Sequence, residues 1–441
     1  MFSVIISTYN GGKNLVNTIE NIKHGLKNFK SEIIIINDGS TDNTEKTLNK
    51  YKKDKQFKII NQENKGISAS RNVGLDNLNL NTDFVVFVDD SDTVQSNYFD
   101  KIKRFFVLNN DIDIVAVPLI RTNKEKRKHH SLNYRFHSKV EIVNIHKNHN
   151  FIHFHIGGIA FRYEILKNKN YRFDEKITYW EDAKFINTLL LDKQKYGLIK
   201  NTAYFYNSED PNSLSKSAWA LQERYTPLIQ NNYMYLIKKS NQNFGKTIKY
   251  VQYLISTHYI EYLKRHNQEK IVNSSHFDKN RFKEMSKILF KNIDSNIIYE
   301  LNCEYYIKNY LLNLKKESLN INKLIDEFGV YLHSYNPFSG KISFTFSKQT
   351  CAIPKESKVY LEYFNKKTKP VKFVKKKNAY ILGELINDFS KNIYEIKLPI
   401  AATFMETNML IVSKNNSYVV RNPSIINRLM KKVFCMKKRS I

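Results

Sequence analysis

Five short stretches of this chain gather side chains able to bind charge or move protons. Ser7-Thr8-Tyr9-Asn10-Gly11-Gly12 offers a hydroxyl, a phenol and an amide before two glycines, and Asn37-Asp38-Gly39-Ser40-Thr41-Asp42 offers a carboxylate in a similar setting. Between Asn64 and Gly74 stands Arg71, whose planar fork of donors suits a carboxylate or a phosphate. Asp89-Asp90-Ser91-Asp92 crowds three carboxylates together, an arrangement that costs repulsion unless a cation compensates. Glu181-Asp182 opens a helical pattern further on. Each group also has a plain structural use. Asp38 suits a turn in Asp-Gly-Ser-Thr, and Glu181 and Asp182 suit the first turn of a helix, where the dipole favours negative charge.

The elements around these stretches predict that they meet. Phe2 to Ser7, Ile33 to Asn37, Phe57 to Asn61 and Phe84 to Val88 are short apolar runs. Most are continuous rather than alternating, as strands buried on both faces of a parallel sheet read. Leu15 to Leu26 and Thr41 to Tyr51 lie between them with helical spacing, the second opened by Ser40, Thr41 and Asp42 as N-cap candidates. Strand, helix, strand repetition predicts an α/β domain. In such open sheets ligands bind beyond the carboxyl ends of the strands, where the Thr8, Asp38 and Asp89 stretches begin.

In that order and spacing, SVIISTYN, IIIINDGSTDNT, NKGISASRNVG and FVVFVDDSD resemble the family 2 glycosyltransferases with a GT-A fold, strongly from Met1 to about Asn110 and more weakly to about Ser215. The resemblance implies a UDP-sugar donor, a divalent metal (Mn²⁺ or Mg²⁺) and inversion at the anomeric carbon. It implies that Thr8, Tyr9, Asn10, Asp38, Arg71, Asp89 and Asp90 bind the donor nucleotide. The family's Asp-x-Asp does not align cleanly. Asp89 takes its first position and Ser91 the second, while Asp90 and Asp92 form a pair shifted by one, so Asp90, Ser91 and Asp92 all stand as metal candidates.

Thr178 to Phe185 resembles the family's Glu-Asp segment, which makes Asp182 the expected general base and Glu181 the second choice. Tyr179 and Trp180 read as a sugar platform or as buried packing. Ile156 to Leu166 resembles the acceptor-side segment, in which Gly157 and Gly158 are expected to admit a close-lying substrate. His153 and His155 lack the partners of a metal site. Tyr204 to Ser215 resembles the loop that closes over the diphosphate, without the Arg common there, leaving Lys216 and the Ser hydroxyls as substitutes.

The domain plan is a GT-A catalytic domain over 1–216, a helical segment over 217–328, a small antiparallel β domain of sandwich type over 329–422 and a basic amphipathic tail over 423–441. In the tail, Ile425, Ile426, Leu429, Met430, Val433 and Phe434 share one helical face among basic residues, a pattern that lies in an anionic lipid interface or docks on the β domain.

Composition bounds the rest. The chain has 441 residues, 41% of them hydrophobic, enough for several cores and too apolar for a disordered chain. Its 71 Lys and Arg against 42 Asp and Glu leave a net charge of +29, which favours an anionic partner. The basic residues are spread through every segment with no recognition motif, which disfavours nucleic acid. A polysaccharide, lipid-linked or polyol-phosphate acceptor fits instead, from capsule, exopolysaccharide, lipopolysaccharide or wall teichoic acid. The appended segments resemble the layout of enzymes that decorate wall teichoic acid, which implies polymer binding or a homo-oligomer. A catalytically weak glycan-binding scaffold stays open because of Ser91. Cys303, Cys351 and Cys435 form no disulfide framework or zinc pattern. With no signal peptide and no apolar run of ~18 residues, the expected location is cytoplasmic, peripheral on the inner face of the plasma membrane.

Overall fold

The computed structural model describes residues 1–123, 126–167, 171–208, 217–320, 323, 329–336, 338–346, 357–363, 366–399, 405, 407–412 and 417–422. Packing divides the chain into two units: Met1–Ile255 with Ser274–Ile293, and Ser256–Asn273 with the described residues from Asp294 onward. This division departs from boundaries at 216 and 328. The helix over Met234–Phe244 goes with the first unit because it packs on the helix that begins at Glu181, Asn243 donating to the Leu191 carbonyl at 3.2 Å.

The first unit begins β1 (Phe2–Thr8), α1 (Gly12–Leu26), β2 (Ser31–Asp38), α2 (Thr44–Leu48), β3 (Phe57–Gln62), α3 (Ile67–Asp76), β4 (Phe84–Asp89), β5 (Thr93–Val94) and α4 (Tyr98–Leu108). It continues β6 (Ile114–Ala116), β7 (Leu119–Thr122), β8 (Arg127–His129), β9 (Ile142–Asn144), β10 (Ile159–Arg162), α5 (Tyr163–Leu166), α6 (Glu181–Lys193), β11 (Lys195–Leu198) and β12 (Tyr204–Asn207). The main sheet has the order β3-β2-β1-β4-β10-β6-β11-β9, and a smaller one β5-β12-β7-β8. Strands β3, β2, β1 and β4 are parallel, and β10 runs antiparallel to both β4 and β6.

Burial explains the apolar runs. Every residue of β1 is buried, as are the last six of β2. Leu15, Ile19, Ile22 and Leu26 put one face of α1 wholly out of solvent, each contributing about 1.5–3 kcal/mol relative to exposure. Helix α2 is shorter than the pattern from Thr41 to Tyr51. Ser40 and Thr41 bond to Asn10 instead, and the carboxylate of Asp42 accepts from the Thr44 N–H at 2.9 Å.

The second unit carries helices over Arg265–Val272, Ser295–Glu300 and Tyr305–Leu314. Strands β13 (Tyr331–Asn336), β14 (Lys341–Thr345), β15 (Lys358–Tyr363), β16 (Lys366–Pro370), β17 (Lys372–Ile381), β18 (Glu384–Lys397), β19 (Thr407–Val412) and β20 (Ser417–Asn422) follow. They form two antiparallel sheets, β13-β14-β18-β17 and β16-β15-β19-β20. Phe344 and Tyr394 from one sheet and Leu361, Met409 and Ile411 from the other share one core, which makes a sandwich. Among the described residues no helix is long and apolar enough to cross a membrane. The tail 423–441 lies outside the described residues.

Helix α3, which carries Arg71, sits hard against the sheet. A Cβ on Gly74 would lie 2.5 Å from Ile5 Cγ2 and 3.1 Å from Ile36 Cδ1. Gly74→Val should therefore overpack this contact and lower stability by about 1–3 kcal/mol, measured by urea denaturation. An unchanged midpoint would show that α3 can shift without cost.

Candidate active site

The ends of β2, β1 and β4 lie side by side, so their terminal loops form one surface. Thr8 donates its hydroxyl to Asp90 Oδ2 at 2.6 Å. Gly11 leaves room for that bond, because a Cβ there would lie 2.4 Å from Thr8 Oγ1 and 2.8 Å from Asp90 Oδ2. Tyr9 is 50% exposed at this rim. Asn10 takes a positive φ of 54°, a conformation Asn tolerates better than most residues. Its N–H donates to Ser40 Oγ at 2.9 Å and its Oδ1 accepts from the Thr41 N–H at 2.8 Å, so it locks the β1 loop to the β2 loop.

Asp38 is buried and engaged. One oxygen accepts from Gln62 Nε2 at 2.7 Å and the Lys65 N–H at 2.9 Å, the other from the Gly66 N–H at 2.9 Å. A carboxylate has about four lone-pair sites, so three are committed to folding the loop that leads into α3.

Arg71, 5% exposed, lies at the centre. Its Nη2 donates to Asp89 Oδ1 at 3.1 Å and its Nη1 to Glu181 Oε1 at 3.0 Å, and the guanidinium lies 5.3 Å from the Phe173 ring centroid. Burial opposes its charge, but Asp89, Glu181 and Asp182 outweigh burial and hold it more firmly protonated. The fork expected beside the nucleotide thus ties the end of β4 to the start of α6. Asn72 next to it holds the segment before α6, bonding the Phe173 carbonyl and N–H at 2.9 Å each.

Asp182 accepts from the Ala183 N–H at 2.7 Å and the Ile156 N–H at 3.2 Å. Dense surroundings push its pKa up to about 6 against the pull of Arg71, yet it keeps some open surface. Burial, then repulsion from Asp182, lifts Glu181 to about 7.

The acidic turn after β4 divides by function. Asp89, Asp90 and Ser91 are half-buried on the site surface. Asp92, the other metal candidate of this turn, is 1% exposed and engaged by protein. Its Oδ2 accepts from the Tyr204 hydroxyl at 2.7 Å and its Oδ1 from the Asn207 N–H at 2.8 Å. Burial and repulsion from Asp89 raise its pKa well above the usual carboxylate range, and its two hydrogen bonds brace β12. Asp89 and Asp90 with the Ser91 hydroxyl still present the hard oxygen donors that suit Mg²⁺ or Mn²⁺.

Other expected contacts are filled by protein. Trp180 is buried, its ring edge-to-face with Tyr233 at 5.2 Å. One face of Tyr179 is covered by the Arg224 guanidinium at 4.3 Å, which also lies 3.5 Å from the Trp219 ring centroid. A Cβ on Gly157 would lie 2.7 Å from Tyr204 Cε1, and one on Gly158, at φ 76°, 2.9 Å from Leu119 Cδ2. These glycines admit the close approach of neighbouring side chains. His153 donates to the His155 carbonyl at 2.7 Å and accepts from Arg135 at 2.8 Å, which leaves no nitrogen for a metal. The loop expected to close over the diphosphate is described only to Ser208, and residues 209–216, Lys216 included, lie outside the described residues. Arg224 was not marked by the sequence, and Tyr204 only as the start of the loop, since their partners are distant in the chain and no local pattern flags them.

Residues 3–168 match the family model for glycosyl transferase family 2. The chain also aligns over its whole length with the whole of the minor teichoic acid biosynthesis protein GgaA of Bacillus subtilis (strain 168), 30% identical over 453 aligned positions. The chain belongs to glycosyl transferase family 2. Among solved structures, TarS of S. aureus is similar with a TM-score of 0.53 and 15% identity, covering 96% of this chain and 77% of that one. A shorter form of TarS in complex with UDP-GlcNAc gives 0.51 and 16%, covering 79% and 97%. At these identities the likeness is one of fold.

The buried carboxyl pair makes stability depend on pH. Glu181 and Asp182 hold protons in the folded chain at about 7 and 6, against ordinary values of 4.5 and 3.8. Between about pH 4 and 7 the folded state therefore binds more protons than the unfolded one, and this pair's contribution to stability falls as pH rises through that window. Glu181→Gln should flatten that fall by about 1–3 kcal/mol, measured by urea denaturation across the range. A slope identical to that of the unsubstituted protein would show that Glu181 is not perturbed.

Proposed function

We propose that this family 2 enzyme is an inverting transferase that moves a sugar from a UDP-sugar to a hydroxyl of a polyol-phosphate wall polymer of the teichoic acid kind. The observation that carries the mechanism is Asp182, a carboxylate with raised pKa and open surface, coupled through Arg71 to the acidic turn of the donor side. Full-length likeness to GgaA supports the acceptor class, and the UDP-GlcNAc complex of TarS supports the donor class.

Tyr9 stacks on the base, while Thr8 and the remaining acceptor position of Asp38 take the nucleoside. Asp89 and Asp90, with Ser91, would hold a divalent metal, which would neutralise charge on the departing diphosphate. Asp182 accepts the proton of the acceptor hydroxyl as its oxygen attacks the anomeric carbon from the face opposite the diphosphate. The new carbon–oxygen bond forms as the anomeric carbon–phosphate oxygen bond breaks, and UDP leaves with inverted configuration in the product. Backbone donors from Ile156 and Ala183 fix the Asp182 carboxylate during this step. Contact with an anionic membrane surface is proposed for residues 423–441 on their sequence pattern alone.

Asp182→Asn should reduce transfer at least about 10²–10³-fold, in keeping with loss of a general base, while UDP binding by calorimetry is retained. In the unsubstituted enzyme kcat/KM should fall on the acid side of about pH 6 as Asp182 takes up a proton. Full transfer by the Asn variant, or a flat acid limb, would assign the base elsewhere.

A further inference from the structure

Outside the active site the β7–β8 hairpin is a strongly positive feature of the first unit. Residues 119–130 hold five Lys and Arg against one Glu. Arg121, Lys126, Arg127 and Lys128 are all exposed, and none forms an ion pair with a carboxylate among the described residues. In the hairpin register Arg121 pairs with Lys128 and Thr122 with Arg127, so neighbouring cations point to opposite faces of the small sheet.

The two faces differ. Arg121 shares its face with Tyr206, whose ring meets His155 at 5.4 Å beside Gly157 on the catalytic side. On the other face the Arg127 guanidinium lies 5.1 Å from the Phe205 ring centroid. There a cavity of about 560 Å³ opens, bounded by Thr93, Thr122, Asn123, Lys126, Arg127 and Phe205. Its walls are fixed. Asn21 on α1 donates to the Val94 carbonyl at 3.1 Å and accepts from the Val94 N–H at 2.8 Å, while Asn123 Oδ1 accepts from the Lys126 N–H at 2.6 Å.

We propose that this cavity binds phosphodiester groups of the acceptor polymer at units distant from the one that receives the sugar. The proposal rests on the polyol-phosphate reading of the acceptor given above. An ammonium and a guanidinium at one opening suit phosphate oxygens. Phe205 and the Thr and Asn side chains suit the apolar and hydroxyl faces of a polyol. Because β8 is an edge strand with cations on both faces, a flexible polyanion can follow charge around that edge from the catalytic face into the cavity. A bilayer surface is a poorer fit, since interfacial binding buries a projecting apolar face, whereas Phe205 is half-buried beneath Arg127 in a recess.

The test is a charge-reversed full-length protein, Lys126→Glu with Arg127→Glu, alongside the milder Arg127→Ala. Three readouts are needed: transfer to a long polyol-phosphate polymer, transfer to a single polyol-phosphate unit, and UDP affinity. The doubly reversed protein should raise KM for the polymer by about tenfold or more, with the loss growing at low salt where charge is least screened. Its kcat, its single-unit transfer and its UDP affinity should match the unsubstituted enzyme, and Arg127→Ala should show a smaller rise in polymer KM. An unchanged polymer KM overturns the proposal, as does a variant that loses binding to phosphatidylglycerol vesicles while keeping its polymer KM, which would make the hairpin a membrane contact. If the unsubstituted enzyme transfers sugar to neither polymer nor single unit, the acceptor reading itself fails and takes this proposal with it.

Discussion

One buried guanidinium holds the two halves of the active site together. Arg71 bonds Asp89 at the end of β4 and Glu181 at the start of α6, the latter more than a hundred residues along the chain from it. Removing charge from water is costly, and such a pair is stabilising only when its geometry and hydrogen bonding are good. Here the cost is tolerable because Asp182 adds a third attraction and Phe173 lies beneath the guanidinium. The same interaction gives α3 its role: Gly74 sets that helix tight on β1 and β2, so the position of Arg71 is inherited from the sheet.

Excess negative charge is the second constraint. Asp89, Glu181 and Asp182 surround one cation, and burial leaves Glu181 and Asp182 inclined to hold protons near neutral pH. A base poised near the working pH is what proton removal from a hydroxyl requires. Asp92 relieves part of the crowding by turning inward to Tyr204 and Asn207, which also fixes where β12 leaves the site. The acidic turn thus has a bracing member and members directed at the site.

Much of the catalytic unit was legible because its central strands are buried on both faces, and short continuous runs of Ile, Val and Phe suit that position better than any half-exposed one. The strand-end stretches follow from that sheet. The packing partners of Asp92, Gly157 and Trp180 were not legible, for a common reason. Tyr204 bonds Asp92 and fills the space above Gly157, and Tyr233 covers Trp180, and no local pattern reports a partner so far along the chain. Helix α2 was overextended because Ser40 and Thr41 look alike as caps and as staples to Asn10. The helical segment was separated from the catalytic unit because amphipathic spacing shows that a face is buried and not which core buries it.

The central claim is that Arg71 and Glu181 act as one coupling between donor side and base. A double-mutant cycle in kcat/KM for UDP release, with Arg71→Met, Glu181→Gln and the pair, measures it directly. Coupling predicts that the double variant loses less than the sum of the single losses, with an interaction energy of about 1 kcal/mol or more. Losses that add within about 0.3–0.5 kcal/mol would contradict the account.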